Sequence, residues 1–274
     1  MGKRLKNVTE ARQQNWFENH RNSYESEELT YEPFWRTDDI RSYGVKTKIA
    51  HFNTRHRIVH LLSQNELWMY LQLVRHPLVL EIYEQFAVPL ELSIPIAEAL
   101  NVKHPVYPDT KVPIIQTIDF MCDMLNPETG EIYKAAFPVK QPEDAIRYRT
   151  MEKLALQEAY CELEDIQYDL VSSDALRTIQ SKSLECLYRY RELPLFLTHV
   201  SKRWLSNFFG HLTDDPHEKV AHLIQRSAKT TGLDYETSVQ IFYNALWHKQ
   251  IDMNWTEYLK LELPASDMGV RPNV

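Results

Sequence analysis

Asp119 and Lys140 are the residues whose types and spacing most suggest chemistry. Asp119 lies in "VPIIQTIDFMCDML", Lys140 closes "EIYKAAFPVK", and the turn-forming "NPETG" separates the two runs. If residues 127–130 form the loop, Asn126 pairs with Glu131, and counting outward sets Asp119 opposite Pro138. Lys140, two residues on, then shares that face, so carboxylate and ammonium meet diagonally. A slip of one residue would separate them. Glu66, in "SQNELWMYLQLVRHP", offers a second carboxylate. Two carboxylates and a lysine suit metal-assisted phosphodiester hydrolysis. Hard oxygens hold Mg²⁺, the ion polarises the phosphate and acidifies a bound water, and the lysine orients that water or offsets developing charge. The same residues also suit a plain cross-strand ion pair and a capping box running from Ser63 to Glu66.

Several elements must position these groups. Before about residue 41 lies a polar extension with a short helix near Val8 to His20. Val45 to Phe52 alternates with a period of two and turns through "FNTRHR" into "IVHLL", a basic hairpin. Ser63 caps a helix whose apolar face is Leu67, Tyr70, Leu71 and Val74. A strand follows over Leu78 to Phe86, then a short helix in "SIPIAEALNV" and the prolyl loop "KHPVYPD". Beyond the Asp119 hairpin, Met151, Leu154, Leu156 and Ala159 show helical spacing, and "IQYDLVS" reads as a strand. Past Ser172 the pattern becomes helical: Asp174 to Leu187, Pro194 to Leu212, Asp215 to Thr231 and Asp234 to Lys249, then strand-like "QIDMNW". These divisions predict an N-terminal domain over 1–172 and a helical, winged-helix-like domain over 173–274.

Composition narrows the class. In 274 residues there are only 6 glycines and 14 prolines and no repeat, as expected of an ordered mixed or helical protein. Three cysteines without CxxC spacing suggest neither a disulfide framework nor a zinc site. The charged start "MGKRLKNVTEARQQ" lacks a signal peptide's apolar core, and no apolar segment nears the roughly 18–20 residues of a membrane span, so a cytoplasmic protein without a membrane partner is expected. A net charge of −7 argues against coating nucleic acid by field alone. Arg41 to His60 is the exception, with Arg41, Lys46, Lys48, Arg55 and Arg57 and no acid. That patch suits a polyanion, and equally the solvent face of a hairpin.

The αβββαβ order, with Asp and Lys on the middle hairpin, is that of restriction-endonuclease-like folds. "HLLSQNEL", "VLEIYEQF", "KHPV", "TIDF", the "VK" at Lys140 and "RTMEKLALQEAY" occur in order at matching spacing. Through them the chain resembles the TnsA family, endonuclease subunits of heteromeric cut-and-paste transposons of the Tn-seven type, roughly from Tyr31 to Ser172. The resemblance implies that Glu66 and Asp119 hold Mg²⁺, with Mn²⁺ able to substitute, and that Lys140 is the catalytic lysine. It implies hydrolysis of the 5′, non-transferred strands of transposon-end DNA. The partners implied are a TnsB-like transposase and a TnsC-like AAA+ regulator, the latter bound through the C-terminal domain. Where the family carries Gln or Glu two residues before the lysine, this chain has Pro138, which leaves the carbonyl of Val139 as a further metal ligand. Lys46, Lys48, Arg55, Arg57 and His104 are the expected DNA contacts. Glu84 and Gln85 match the family and suit strand packing or the orientation of a neighbour. A stand-alone restriction or repair nuclease and a non-catalytic adaptor are the competing readings.

Overall fold

The structure, a computed structural model, describes residues 7–28, 30–40, 44–53 and 57–273. The chain divides into two compact units, Met1–Leu176 and Arg177–Val274.

The first unit opens with helix α1 (Glu10–Glu25), capped by Thr9, whose side chain accepts from the Arg12 N–H. Strands β1 (Thr47–Ala50) and β2 (Ile58–Leu61) pair antiparallel, with Thr47 opposite Leu61, as the alternation predicts. Helix α2 (Gln64–Arg75) starts where Ser63 accepts the Glu66 N–H, and it buries Leu67, Tyr70 and Leu71. Strand β3 (Val79–Ala87) follows, then helix α3 (Leu90–Ala99), which begins three residues before the predicted start because Pro89 and Leu90 already suit a helix entry.

Strands β4 (Thr117–Leu125) and β5 (Ile132–Ala136) form the hairpin that carries the site. Its turn is set locally. Asn126 Oδ1 accepts from the N–H groups of Glu128 and Thr129 at 2.9 and 3.3 Å, and Gly130 takes φ +75° without the Cβ cost other residues bear there. Leu125 pairs with Ile132 and Met121 with Ala136, the register obtained by counting from the loop.

Pro138 then changes the pattern. It has no N–H for the ladder, and the next donor, Val139 N–H, turns to the Asp119 carboxylate at 2.7 Å instead of a β4 carbonyl. The chain leaves β4 there as β6 (Val139–Lys140). After the short helix α4 (Pro142–Ala145) and helix α5 (Tyr148–Leu163), the expected last strand is split into β7 (Gln167–Tyr168) and β8 (Val171–Ser172). The sheet order is β3-β4-β5-β7, with β7 parallel to β5, while β8 pairs parallel with β6.

Two apolar clusters support this sheet. Phe86, Ile118, Met121, Ala136, Tyr160 and Cys161 bring α5 onto it, with Leu92 and Ile96 of α3 and Tyr24 of α1 packed alongside. Phe17, Phe34, Trp35, Ala87 and Ile115 seat α1 and the following segment. Met151, expected on the inner face of α5, is 54% exposed; that face is formed by Leu154, Leu156, Gln157, Tyr160 and Cys161. The turn of helix α6 (Ser173–Leu176) belongs to this unit because Ser173 and Leu176 are buried and α6 packs on α2.

The second unit contains helices α7 (Ile179–Leu187), α8 (Leu195–Asp214), α9 (Val220–Thr231) and α10 (Tyr235–Trp247). Trp204, Phe208, Leu223, Ile224, Phe242 and Leu246 fill its core. Strands β9 (Ile251–Asp252) and β10 (Arg271–Pro272) clasp it as an antiparallel pair. Nothing in these helices and two-residue strands singles out the expected winged helix. Among the described residues, no helix is long and apolar enough to cross a membrane.

Candidate active site

The diagonal contact inferred from the hairpin is present: Lys140 Nζ donates to Asp119 Oδ2 at 2.8 Å and to the Val139 carbonyl at 3.0 Å. The side chains are 30% and 14% exposed, so the pair opens to solvent on one side. Burial works against the Lys140 charge, but the field and hydrogen bond of Asp119 outweigh it and hold the lysine above its ordinary pKa. Lys140 is therefore a permanent cation at neutral pH.

Glu66 enters from the first turn of α2 and is buried. Its Oε2 accepts from the Leu62 N–H at 2.8 Å and from Gln85 Nε2 at 3.3 Å, while Oε1 accepts from the Ser63 hydroxyl at 2.9 Å. The capping interaction is thus present in altered form: Ser63 accepts the Glu66 N–H, while the Glu66 carboxylate reaches back one residue further, to the Leu62 N–H. Even so, burial, and after it the Asp119 charge, push the Glu66 carboxyl up to about 7. A purely structural cap gives no reason to keep a second carboxylate so near. Glu66 and Asp119, two hard-oxygen groups close enough for the Asp119 charge to act on Glu66, suit one small divalent cation, with water and phosphate completing its shell. Pro138 offers no ligand, and the Val139 carbonyl is engaged by Lys140. Among the described residues, no cluster of three or more His, Cys, Asp or Glu side chains could hold a metal.

Gln85 is the positioning residue beneath Glu66. It sits in β3 at φ +51°, in the left-handed region that a non-glycine residue seldom occupies, and is 2% exposed. Glu84 pairs with Phe120 and Phe86 with Ile118, so Gln85 falls at the register position of Asp119. Its amide bridges Glu66 Oε2 and the Thr117 hydroxyl, which donates to Oε1 at 3.0 Å. Thr117, Gln116, Gln157 and Lys153 were not expected at the site. They line, with Asp119 and Lys140, a cleft of about 270 Å³ between β4 and α5. A hint lay in the sequence: Thr117 is two residues from Asp119, on the same strand face.

The expected DNA contacts fare differently. Arg57 requires correction: it is 4% exposed, ion-paired with Glu84, hydrogen-bonded to the Ile82 carbonyl at 2.8 Å, and packed over the Tyr31 ring at 4.7 Å. A guanidinium so placed cannot also meet phosphate. Glu84, 0% exposed, accepts besides from the His60 N–H at 3.1 Å; burial pushes its carboxyl up to about 7 against the pull of Arg57. Lys46 donates to the carbonyls of Thr37, at 2.6 Å, and Ile40, holding a turn. Lys48 pairs with Asp38 at 2.7 Å and remains 50% exposed. His104 is half-buried: its Nδ1 meets the Pro105 carbonyl and its Nε2 the Ser93 hydroxyl, each at 3.1 Å, which makes it a loop brace. Arg41 and Arg55 lie outside the described residues.

Residues 76–173 match the family model described as TnsA-like endonuclease N terminal. Asp119 and Lys140 lie inside that match, and Glu66 precedes it. Over 158 residues the chain is 29% identical to the transposon Tn7 transposition protein TnsA of Escherichia coli, covering 58% of this chain. The match spans 56% of that relative, about half its length. Residues 76–173 are thus similar to the N-terminal domain of TnsA-like endonucleases.

Proposed function

We propose that the chain is a metal-dependent DNA endonuclease with a restriction-endonuclease-like domain, hydrolysing the 5′, non-transferred strands at transposon ends. The observation that carries this reading is the Asp119–Lys140 pair, open to a cleft and faced by Glu66, within a TnsA-like endonuclease domain. Glu66 and Asp119 would hold Mg²⁺, which supplies Lewis acidity toward a phosphate oxygen. The chain's own residues do the rest. Gln85, Ser63 and the Leu62 N–H fix the Glu66 carboxylate. Asp119, held by the Val139 N–H, aims the Lys140 ammonium, which stabilises charge developing on the phosphate or orients the attacking water.

The partners in this reading are a TnsB-like transposase acting on the 3′ ends and a TnsC-like AAA+ regulator docked on the helical C-terminal unit. A net charge of −7 suits a nuclease carried to DNA by such partners. The test is cleavage of an end-containing duplex in the assembled system, with each strand labelled, comparing the chain with Asp119→Ala in Mg²⁺ and in chelator. Loss of only the 5′-strand cut supports the reading. Unchanged cutting of both strands replaces it with a non-catalytic adaptor, the reading that Pro138 favours, and metal-dependent cutting by the chain alone replaces it with an independent nuclease.

A further inference from the structure

The cleft beside Asp119 and Lys140 holds more than a hydrolytic centre needs. One wall is apolar, built from Trp35, Pro105, Ile114 and Ile115. The first half of α5 also lines it, with Thr150 and Lys153. Among the described residues no carboxylate pairs with Lys153, and the fields it feels, from Arg149 and Lys140, are of its own sign. A cation without a carboxylate partner, beside the Asp119-paired Lys140 in the same cleft, is what an anion relieves.

A second observation is independent of charge. Gln116 and Gln157, 7% and 6% exposed, both line this cleft. Gln157 Nε2 donates to the Thr117 carbonyl at 2.9 Å, but its Oε1 and the Gln116 Nε2 are buried without a protein hydrogen-bond partner. Buried amide groups are satisfied in nearly all native proteins, so an orphan acceptor and an orphan donor in one cleft point to a ligand that offers both. A bare phosphate offers acceptors only. An apolar lining, a cation without a carboxylate partner and orphan amide groups together describe a nucleotide.

We propose that this cleft seats the nucleotide next to the scissile bond, with Lys153 and Thr150 holding its outer phosphate and the Trp35–Ile114 side receiving the nucleoside. The inference rests on the nuclease reading above and adds to it the surface that grips the substrate strand. It also reassigns that grip from the basic hairpin to α5.

The probe is thymidine 3′,5′-bisphosphate, a single nucleoside between two phosphates, titrated calorimetrically into the full chain. Wild type binds saturably, Lys153→Ala binds roughly tenfold more weakly or worse, Lys153→Arg stays near wild type, and Lys48→Ala is unchanged. Lys153 is exposed, so coincident thermal melts serve as the folding control. Equal binding by wild type and Lys153→Ala, or no binding by wild type, overturns the subsite. The two readings separate cleanly. Cutting in the assembled system with unchanged KM in Lys153→Ala removes the subsite and leaves the nuclease. Saturable nucleotide binding, lost in Lys153→Ala, with no metal-dependent cutting in any assembly removes the nuclease and leaves the subsite.

Discussion

Two ion pairs in the same domain use the same chemistry to different ends. Arg57–Glu84 is closed, with side chains 4% and 0% exposed, every Glu84 oxygen engaged, and an aromatic ring against the guanidinium. Lys140–Asp119 is half-open, 30% and 14% exposed, lines a cleft, and has a second carboxylate in its field. A buried pair offsets a large desolvation cost and is damaging to break. A pair at the wall of a cleft leaves the same groups within reach of a substrate. Accessible oxygen and ammonium, and not the presence of a salt bridge, are therefore what the proposed chemistry requires.

The largest effect that would sharpen this contrast is on the closed pair. Arg57→Ala strands Glu84 in the core and should cost about 3–5 kcal/mol of stability, seen as a lower denaturant midpoint with an unchanged slope. A loss below about 1 kcal/mol would break the distinction, since that is the range of exposed pairs. Next in size is the open pair: Lys140→Ala should slow cutting by about 10²–10³-fold and leave the melt close to wild type.

His20 tests the closed side by pH. Its Nδ1–H donates to the Glu32 carbonyl at 2.8 Å and its Nε2 accepts from the Ala87 N–H at 3.2 Å, so the buried ring is held neutral. Burial lowers its pKa from 6.5 to about 4. The unfolded chain therefore binds the proton first on acidification. Its contribution is fully present above pH 6.5 and lost as pH falls toward 4, about 3 kcal/mol over that window. Wild type should lose that much more stability than His20→Gln across the same range, and parallel pH profiles would contradict the assignment. The smallest effect concerns Gln85. Gln85→Ala frees the Glu66 carboxylate to reorient, and we expect metal affinity to fall about 10–100-fold, readable by titrating Mn²⁺.

The contrast also explains what was legible in the sequence. The hairpin register followed from the loop alone, because Asn126 and Gly130 are local turn determinants and side-chain alternation does the rest. The start of α2 was legible for the same reason, as Ser63 and Glu66 cap within one turn. Arg57 misled because charge is visible in a sequence and its partner is not: Glu84 lies 27 residues away, on β3. His104 looked available in its prolyl loop until Ser93 closed on it. Gln116, Gln157 and Lys153 meet only when α5 packs on β4, a tertiary event that periodicity within either element cannot show. Pro138 reads as a defect in a strand, yet it is where the ladder releases Val139 N–H to Asp119.

The measurement that bears most directly on the central claim is the rate of 5′-strand cutting by Lys140→Ala beside wild type, in the assembled system with Mg²⁺. The account predicts loss of that cut, with 3′ cutting and the thermal melt retained. Wild-type 5′ cutting by Lys140→Ala would contradict it and place the open pair with the structural one.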